Sequence, residues 1–312
     1  MRDVSISFLK TKPRDKGLSN IYKVKSFIEQ EGMRISVRQA YYYLLTQGDI
    51  KESESSYKTL DEHLVWARKQ GIIPWDYIDD GSRETYRLVT ADNINDFLKE
   101  KIADYNRDIF RPGVQENFVL IFLEKDALKT PVWNAVFPLQ VPIIVSRRYM
   151  SWGYFYKEIV RGYAEKYSPE IFDWVVLVLS DWDKEGEEMV DLLREMFDYF
   201  NIPLKHFEKI ALTEAQLNDK VRYPNLRKLK LQLKRDEEGN ISKRSLAKYK
   251  KWIEEHGMVY SELDNFTPTQ LTELVRENVQ RFIDLESAKN ENMKRKIEVK
   301  LANRHLGNLP II

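Results

Sequence analysis

Three acidic residues and one tyrosine carry most of the chemistry this sequence offers. Glu124 ends the apolar run "NFVLIFLE", Asp181 ends the run "WVVLVLSD", and Asp183 follows two residues later. Continuous apolar runs of this length read as strands buried on both faces of a parallel sheet. In such sheets ligands bind beyond the carboxyl ends of the strands, so the three acids are expected to share one edge. Carboxylates crowded there repel one another unless a cation joins them. An all-oxygen set of this kind suits Mg²⁺, with water and a substrate phosphate completing its octahedron. Asp183 is also placed to cap the helix opened by "KEGEEM", whereas Glu124 has no such simple structural explanation.

The tyrosine lies in "SVRQAYYYLL", residues 36–45. Ser36 and Gln39 have capping-box spacing and predict a helix that Gly48 closes. On a wheel advancing about 100° per residue, Val37, Ala40, Tyr41, Leu44 and Leu45 define the buried face. Tyr43 falls on one edge, and Tyr42 shares the polar side with Arg38 and Thr46, which predicts that Tyr42 is the exposed ring. Arg38 and Tyr42 are an i, i+4 pair, so a guanidinium lies within reach of the phenol or of a phosphate docked against it. That pairing suits phosphoryl chemistry; the plain alternative is that all three rings merely pack.

These residues need elements to position them. The first 90 residues predict three helices: one from Ser19 through Ile21, Val24 and Ile28 to Gly32, the tyrosine helix, and one from about Ser56 to Gly71. "IIPWDYIDDGSRETYRLV" follows, with an Asp-Gly turn at Asp80 and Gly81, and the set reads as a helix-turn-helix with a β-wing. Residues 92 to 109 predict a connecting helix that "RPG" at 111 to 113 breaks. Beyond it, the runs at 117–124, 141–146 and 174–181 alternate with helical stretches, as in a Rossmann-like α/β domain with a mostly parallel sheet. Further helical sequence is expected from residue 259. The organisation is therefore a winged-helix domain over 1–90 that carries the tyrosine, a helical linker over 91–113, and an α/β domain over 114–312 with a basic and helical C-terminal extension.

Composition excludes several classes. The 312 residues include 50 Lys and Arg against 49 Asp and Glu, so any nucleic-acid binding must come from local patches. The absence of cysteine rules out disulfides, thiolate zinc sites and cysteine nucleophiles, and four histidines make a histidine metal site unpromising. No long apolar run or signal-like start is present, which leads to the expectation of a soluble, cytoplasmic protein with no membrane partner. Residues 220–251 hold twelve Lys and Arg against three acids. Such a block is either a solvated face or a nucleic-acid contact. Arg147 and Arg148 follow the second run on the edge of the acids, where they would hold a DNA phosphate or form surface ion pairs. The third helix would face a DNA groove, but its side chains Lys58, Glu62, Arg68 and Lys69 mix charges, so little sequence specificity is expected.

A glutamate ending one strand and Asp-x-Asp ending a later one, with glycine three residues on, resembles the Toprim pattern; here it reads "FLEKDAL" and "LSDWDKEG". With "RQAYY" (Arg38 to Tyr42) in a preceding winged helix, the chain resembles the A subunit of type IIB DNA topoisomerases (topoisomerase VI) and the related Spo-eleven nuclease. Lys184 stands where that family has proline, and the length is nearer to compact stand-alone A-like proteins. The resemblance implies Tyr42 as nucleophile, with Arg38 assisting it, and Glu124, Asp181 and Asp183 as Mg²⁺ ligands. It also implies double-strand cleavage through a 5′-phosphotyrosyl link, and a homodimer in which the tyrosine of one protomer faces the acids of the other. Double-stranded DNA and a separate B-like ATPase subunit of the GHKL kind are the partners it implies. Two other readings stand beside it: a Toprim nuclease using metal-activated water, with Tyr42 structural, and a non-catalytic binding protein of the same fold.

Overall fold

The computed structural model describes residues 12–79, 91, 93–147, 150–234 and 240–307. The N-terminal unit is three helices: α1 (Asp15–Glu31), α2 (Val37–Thr46) and α3 (Glu54–Lys69). Each stops where the sequence provides a stop. Gly32 adopts a left-handed conformation and its N–H returns to the Ile28 carbonyl, as a helix C-terminus requires. Ser36 and Gln39 form a reciprocal capping box at the start of α2. Ser53 caps α3 by accepting from the Ser56 N–H. Ile21, Val24, Leu44, Leu60 and Leu64 fill the core between these helices. Ile35–Ser36 pairs in parallel with Ile78–Asp79, and the Asp-Gly turn predicted at Asp80 and Gly81 lies outside the described residues.

The connecting helix α4 (Ile94–Asp104) is shorter than the predicted span and starts at the Asn93 cap. It leads to an α/β unit with a four-stranded, wholly parallel sheet: β1 (Asn117–Leu123), β2 (Ile143–Val145), β3 (Asp173–Leu179) and β4 (His206–Ala211), in the order β2-β1-β3-β4. Phe118 to Leu123 and Trp174 to Leu179 are all fully or nearly fully buried, which explains why both runs are apolar without alternation. Helix α5 (Lys129–Val136) follows β1, and α6 (Lys184–Tyr199) follows β3. The chain runs outward from β1 to β2 and then back across β1 to β3, so the strand order reverses between β1 and β3. That crevice is the preferred ligand site of an open α/β sheet, and it is where Glu124 and Asp181 stand.

Helix α7 (Lys243–His256), helix α8 (Pro268–Gln280) and helix α9 (Leu285–Gly307) complete the fold. The helix expected from residue 259 begins later. Val259–Tyr260 is extended and pairs antiparallel with Leu229–Lys230, and Leu263–Asn265 forms a short 3-10 turn. Thr267 and Gln270 form a capping box with Pro268 in the first turn, which is why α8 starts there.

Gly186, in the first turn of α6, is fixed by a close approach. A Cβ there would lie 2.3 Å from the Asp181 carbonyl oxygen. Gly186→Ala must push the Asp181 backbone away, and it is expected to cost about 1–3 kcal/mol and to misplace both aspartates. A lower urea midpoint with unchanged slope would register the loss.

Candidate functional site

A cavity of about 1310 Å³ opens between the helical unit and the carboxyl edge of the sheet. Arg38, Tyr41, Tyr42 and Tyr57 line it from α2 and α3, and Glu124, Lys125, Arg147, Asp181 and Asp183 line it from the sheet edge. Glu262 and Asp264 enter from the segment before α8. The tyrosine and the acids thus meet within one chain, whereas the resemblance implies a meeting across a dimer.

Tyr41 belongs to the core, where its hydroxyl accepts from the Ser53 N–H at 3.0 Å and ties α2 to the start of α3. Tyr43 stacks on Phe27 with ring centroids 4.2 Å apart. Tyr42 departs from the sequence expectation, because it is 6% exposed rather than open to solvent. The wheel places it correctly on the side of Arg38, but that side is covered by the sheet edge and by Glu262. The Glu262 carboxylate shares the cavity with the Tyr42 phenol. Burial first, and then the charge of Glu262, push the phenol well above the usual tyrosine range.

Glu262 also accepts from Arg38 at 2.9 Å. Burial works against the Arg38 charge, but Glu262 and Asp264 outweigh it and raise its pKa. The Arg38 side chain stays 45% exposed toward the cavity. Burial alone would raise the Glu262 pKa, yet Lys125 and Arg38 hold it below the ordinary glutamate value.

Lys125 is the hub of the acidic cluster. Its ammonium lies 2.8 Å from Asp181 Oδ2, 2.9 Å from Glu262 Oε2 and 2.6 Å from Asp264 Oδ2. Burial disfavours its charge, but the three carboxylates outweigh burial and keep it protonated. Sequence reasoning misses Lys125, Glu262 and Asp264. The signal for the last two is the Thr267-Pro268-x-Gln270 helix start, which marks the preceding "SELDN" as a non-helical segment carrying two acids.

Each of the three predicted acids uses one oxygen to accept from backbone. Glu124 Oε2 accepts from the Asp181 N–H at 2.8 Å, Asp181 Oδ1 from the Leu263 N–H at 2.8 Å, and Asp183 Oδ1 from the Gly186 N–H at 2.6 Å. The last bond is the helix cap anticipated for Asp183. Backbone contacts of this kind fix the orientation of carboxylates that serve a ligand. Burial pushes Asp183 up to about 6 against the pull of the Gly186 N–H. Asp181 is raised as well, by burial first and then by Glu124, Glu262 and Asp264, with Lys125 opposing.

A pH dependence follows. Both aspartates hold protons more tightly folded than unfolded, so the unfolded chain binds fewer protons between about pH 4 and pH 8, and stability falls as pH rises through that window. The melting temperature is expected to be several degrees higher at pH 5.5 than at pH 8, and Mg²⁺ is expected to narrow the gap by stabilising the charged acids at pH 8. Differential scanning calorimetry at the two pH values checks both statements.

Arg147 reaches the cavity but pairs with Asp126 at 3.3 Å, and its backbone φ is 49°. Arg148 lies outside the described residues. Arg68 is buried, not on the exposed side of α3 as expected. The basic stretch is substantially paired: Lys228 with Glu214, Lys248 with Glu185 and Arg222 with Glu277, while Lys220 donates to the Leu226 carbonyl. Arg235 lies outside the described residues.

Among the described residues, no three acids close around one point as a ready metal cage; the Lys125 ammonium takes the central position. The donor set nonetheless fits a hard divalent cation. Glu124, Asp181, Asp183, Glu262 and Asp264 all line the cavity; among the described residues only Lys125 and Arg38 form ion pairs with members of this group, and Oδ1 of the buried Asp264 has no hydrogen-bond partner. Carboxylates in such excess attract a cation. No described helix is long and apolar enough to cross a membrane. No protein-family model matches the sequence, and no curated protein matches it.

Proposed function

We propose that this chain cleaves double-stranded DNA by attack of Tyr42 on a backbone phosphodiester, in the manner of a topoisomerase VI A subunit, with a winged helix joined to a Toprim domain. One observation carries the reading: Arg38 and Tyr42 of α2 line the same cavity as Glu124, Asp181 and Asp183 of the sheet edge. A phenol, a guanidinium and oriented carboxylates at one place are the parts that phosphoryl transfer to tyrosine requires.

A phosphate entering the cavity would meet Arg38, whose half-exposed fork suits bidentate contact, and Arg147 would hold a neighbouring phosphate. Tyr42 would form the 5′-phosphotyrosyl link and release a 3′ hydroxyl. Mg²⁺ held by Glu124, Asp181 and Asp183 would act as a Lewis acid, neutralising charge on the phosphate. One site cuts one strand, so a homodimer with a two-fold axis across the duplex would cut both. Strand passage would need a separate GHKL-type ATPase partner, and the protein would act on the nucleoid.

The test is incubation with end-labelled duplex DNA and Mg²⁺ followed by denaturation. A labelled strand that migrates with the protein supports the reading; free cut ends without an adduct favour hydrolysis by metal-activated water. The 6% exposure of Tyr42 is the observation that keeps hydrolysis as the second reading.

A further inference from the structure

We propose that the outward side of α9 is a docking surface for an acidic amphipathic helix of a partner protein, a role independent of the DNA chemistry above. Helix α9 lies against α4 and the segment that follows it. That inner side is committed. Glu291 is buried and pairs with Arg107, Arg111 and Lys294. Glu298 pairs with Arg107 and accepts from the Tyr105 hydroxyl at 2.9 Å, and Arg295 donates to the Ala103 carbonyl at 3.0 Å. On the opposite side Met293, Ile297 and Leu301 are 57%, 60% and 47% exposed. Their i, i+4, i+8 spacing sets them within about 80° of the helical wheel, as one continuous apolar stripe.

The charges beside the stripe select its occupant. Lys289, Lys296, Lys300 and Arg304 are exposed, and none of them forms an ion pair among the described residues. Between Lys289 and Arg304 the only acids are Glu291 and Glu298, and both are spent on the inner side. The outward side is thus apolar along its middle and basic beside it. A second copy of α9 would bring cations against cations, which disfavours self-pairing. A stripe this narrow has the width of a helix–helix seam, less than the broad apolar face with which a helix lies in a lipid surface. DNA phosphates would meet the cations but leave the three apolar side chains in water. A helix with apolar side chains at seam spacing and Asp or Glu on its flanks satisfies both features. Burial of the stripe supplies affinity, and the flanking cations set register and choose the partner.

The experiment pans a phage-displayed library of helical peptides, randomised at seam and flank positions, against the full chain, and measures binding of the recovered peptides by fluorescence anisotropy. Recovered binders are expected to carry leucine-like residues at i, i+3, i+4 and i+7 together with net negative charge. One variant combines Met293→Gln, Ile297→Gln and Leu301→Gln; a second combines Lys289→Glu, Lys296→Glu and Lys300→Glu. Each is expected to weaken binding at least about tenfold, and the second is expected to prefer peptides whose acids are replaced by lysine. All six positions are exposed, so the helix should survive both changes, which circular dichroism checks, and either variant suffices if the other does not fold. Failure to recover acidic amphipathic binders, or binders that the folded variants leave unchanged, would overturn the proposal. Three other results would overturn it by assigning the face elsewhere: a wild-type dimer that the glutamine variant dissociates, binding to phosphatidylserine vesicles that the same variant loses, or displacement of the peptide by duplex DNA.

Discussion

Replacing Tyr42 by phenylalanine is expected to abolish the protein-linked DNA strand, with cleavage reduced by at least about 10³-fold, the scale on which loss of a covalent nucleophile is felt. The change removes one oxygen and little else. The ring keeps its edge-to-face contact with Tyr41, at a centroid distance of 5.4 Å, and its place in the helical core. Glu262 keeps its ion pairs with Lys125 and Arg38, so it is not left uncompensated. Stability is therefore expected to shift by only about 1 kcal/mol, and a urea titration alongside the cleavage gel separates chemistry from folding. Cleavage that survives in Tyr42→Phe would assign the reaction to water and leave the tyrosine a structural role.

The largest effect on stability is expected at Lys125. Its ammonium neutralises three carboxylates that are otherwise close together and poorly solvated: Asp181 is 7% exposed in its side chain, Glu262 14% and Asp264 0%. Lys125→Met retains much of the apolar stem and deletes the charge. Breaking a buried ion pair by removing one partner costs about 3–5 kcal/mol, because the remaining charge keeps its desolvation penalty and loses its compensation. Here three acids lose one partner. The carboxylates respond by taking up protons, so the deficit is expected to be larger at pH 8 than at pH 5.5, and Mg²⁺ is expected to recover part of it. Equilibrium unfolding at both pH values, with and without Mg²⁺, measures each component. Wild-type stability in Lys125→Met would mean that the cluster does not depend on the ammonium.

The sheet is legible in the sequence because β1 and β3 are buried on both faces and so carry unbroken apolar runs, and because glycines and capping boxes mark the helix ends. Glu124, Asp181 and Asp183 are legible for a related reason, since acids that terminate apolar runs stand out. Tyr42 is only half legible. Helical periodicity places it with Arg38, but periodicity describes a helix against its own unit and carries nothing about the second unit that buries it. Lys125 gives no signal at all, as a lysine after a strand ordinarily reads as solvated. Glu262 and Asp264 are lost when "VYSELDNF" is run into the following helix, although Thr267 and Gln270 fix the start of that helix at Pro268, nine residues later than Val259. The contact that brings Glu262 to Arg38 on α2 spans 224 residues of sequence, and no local pattern encodes it.

Tyr42 itself is expected to become joined to DNA. The most direct test traps the protein on duplex DNA with Mg²⁺ under denaturing conditions, digests the nucleic acid and the protein, and locates the residual nucleotide by tandem mass spectrometry. The expected result is a nucleotide mass on the peptide that contains "QAYYYLL", with fragment ions assigning it to Tyr42 and leaving Tyr41 and Tyr43 unmodified. Cleaved DNA with no modified peptide, or a nucleotide on a different residue, would contradict the account.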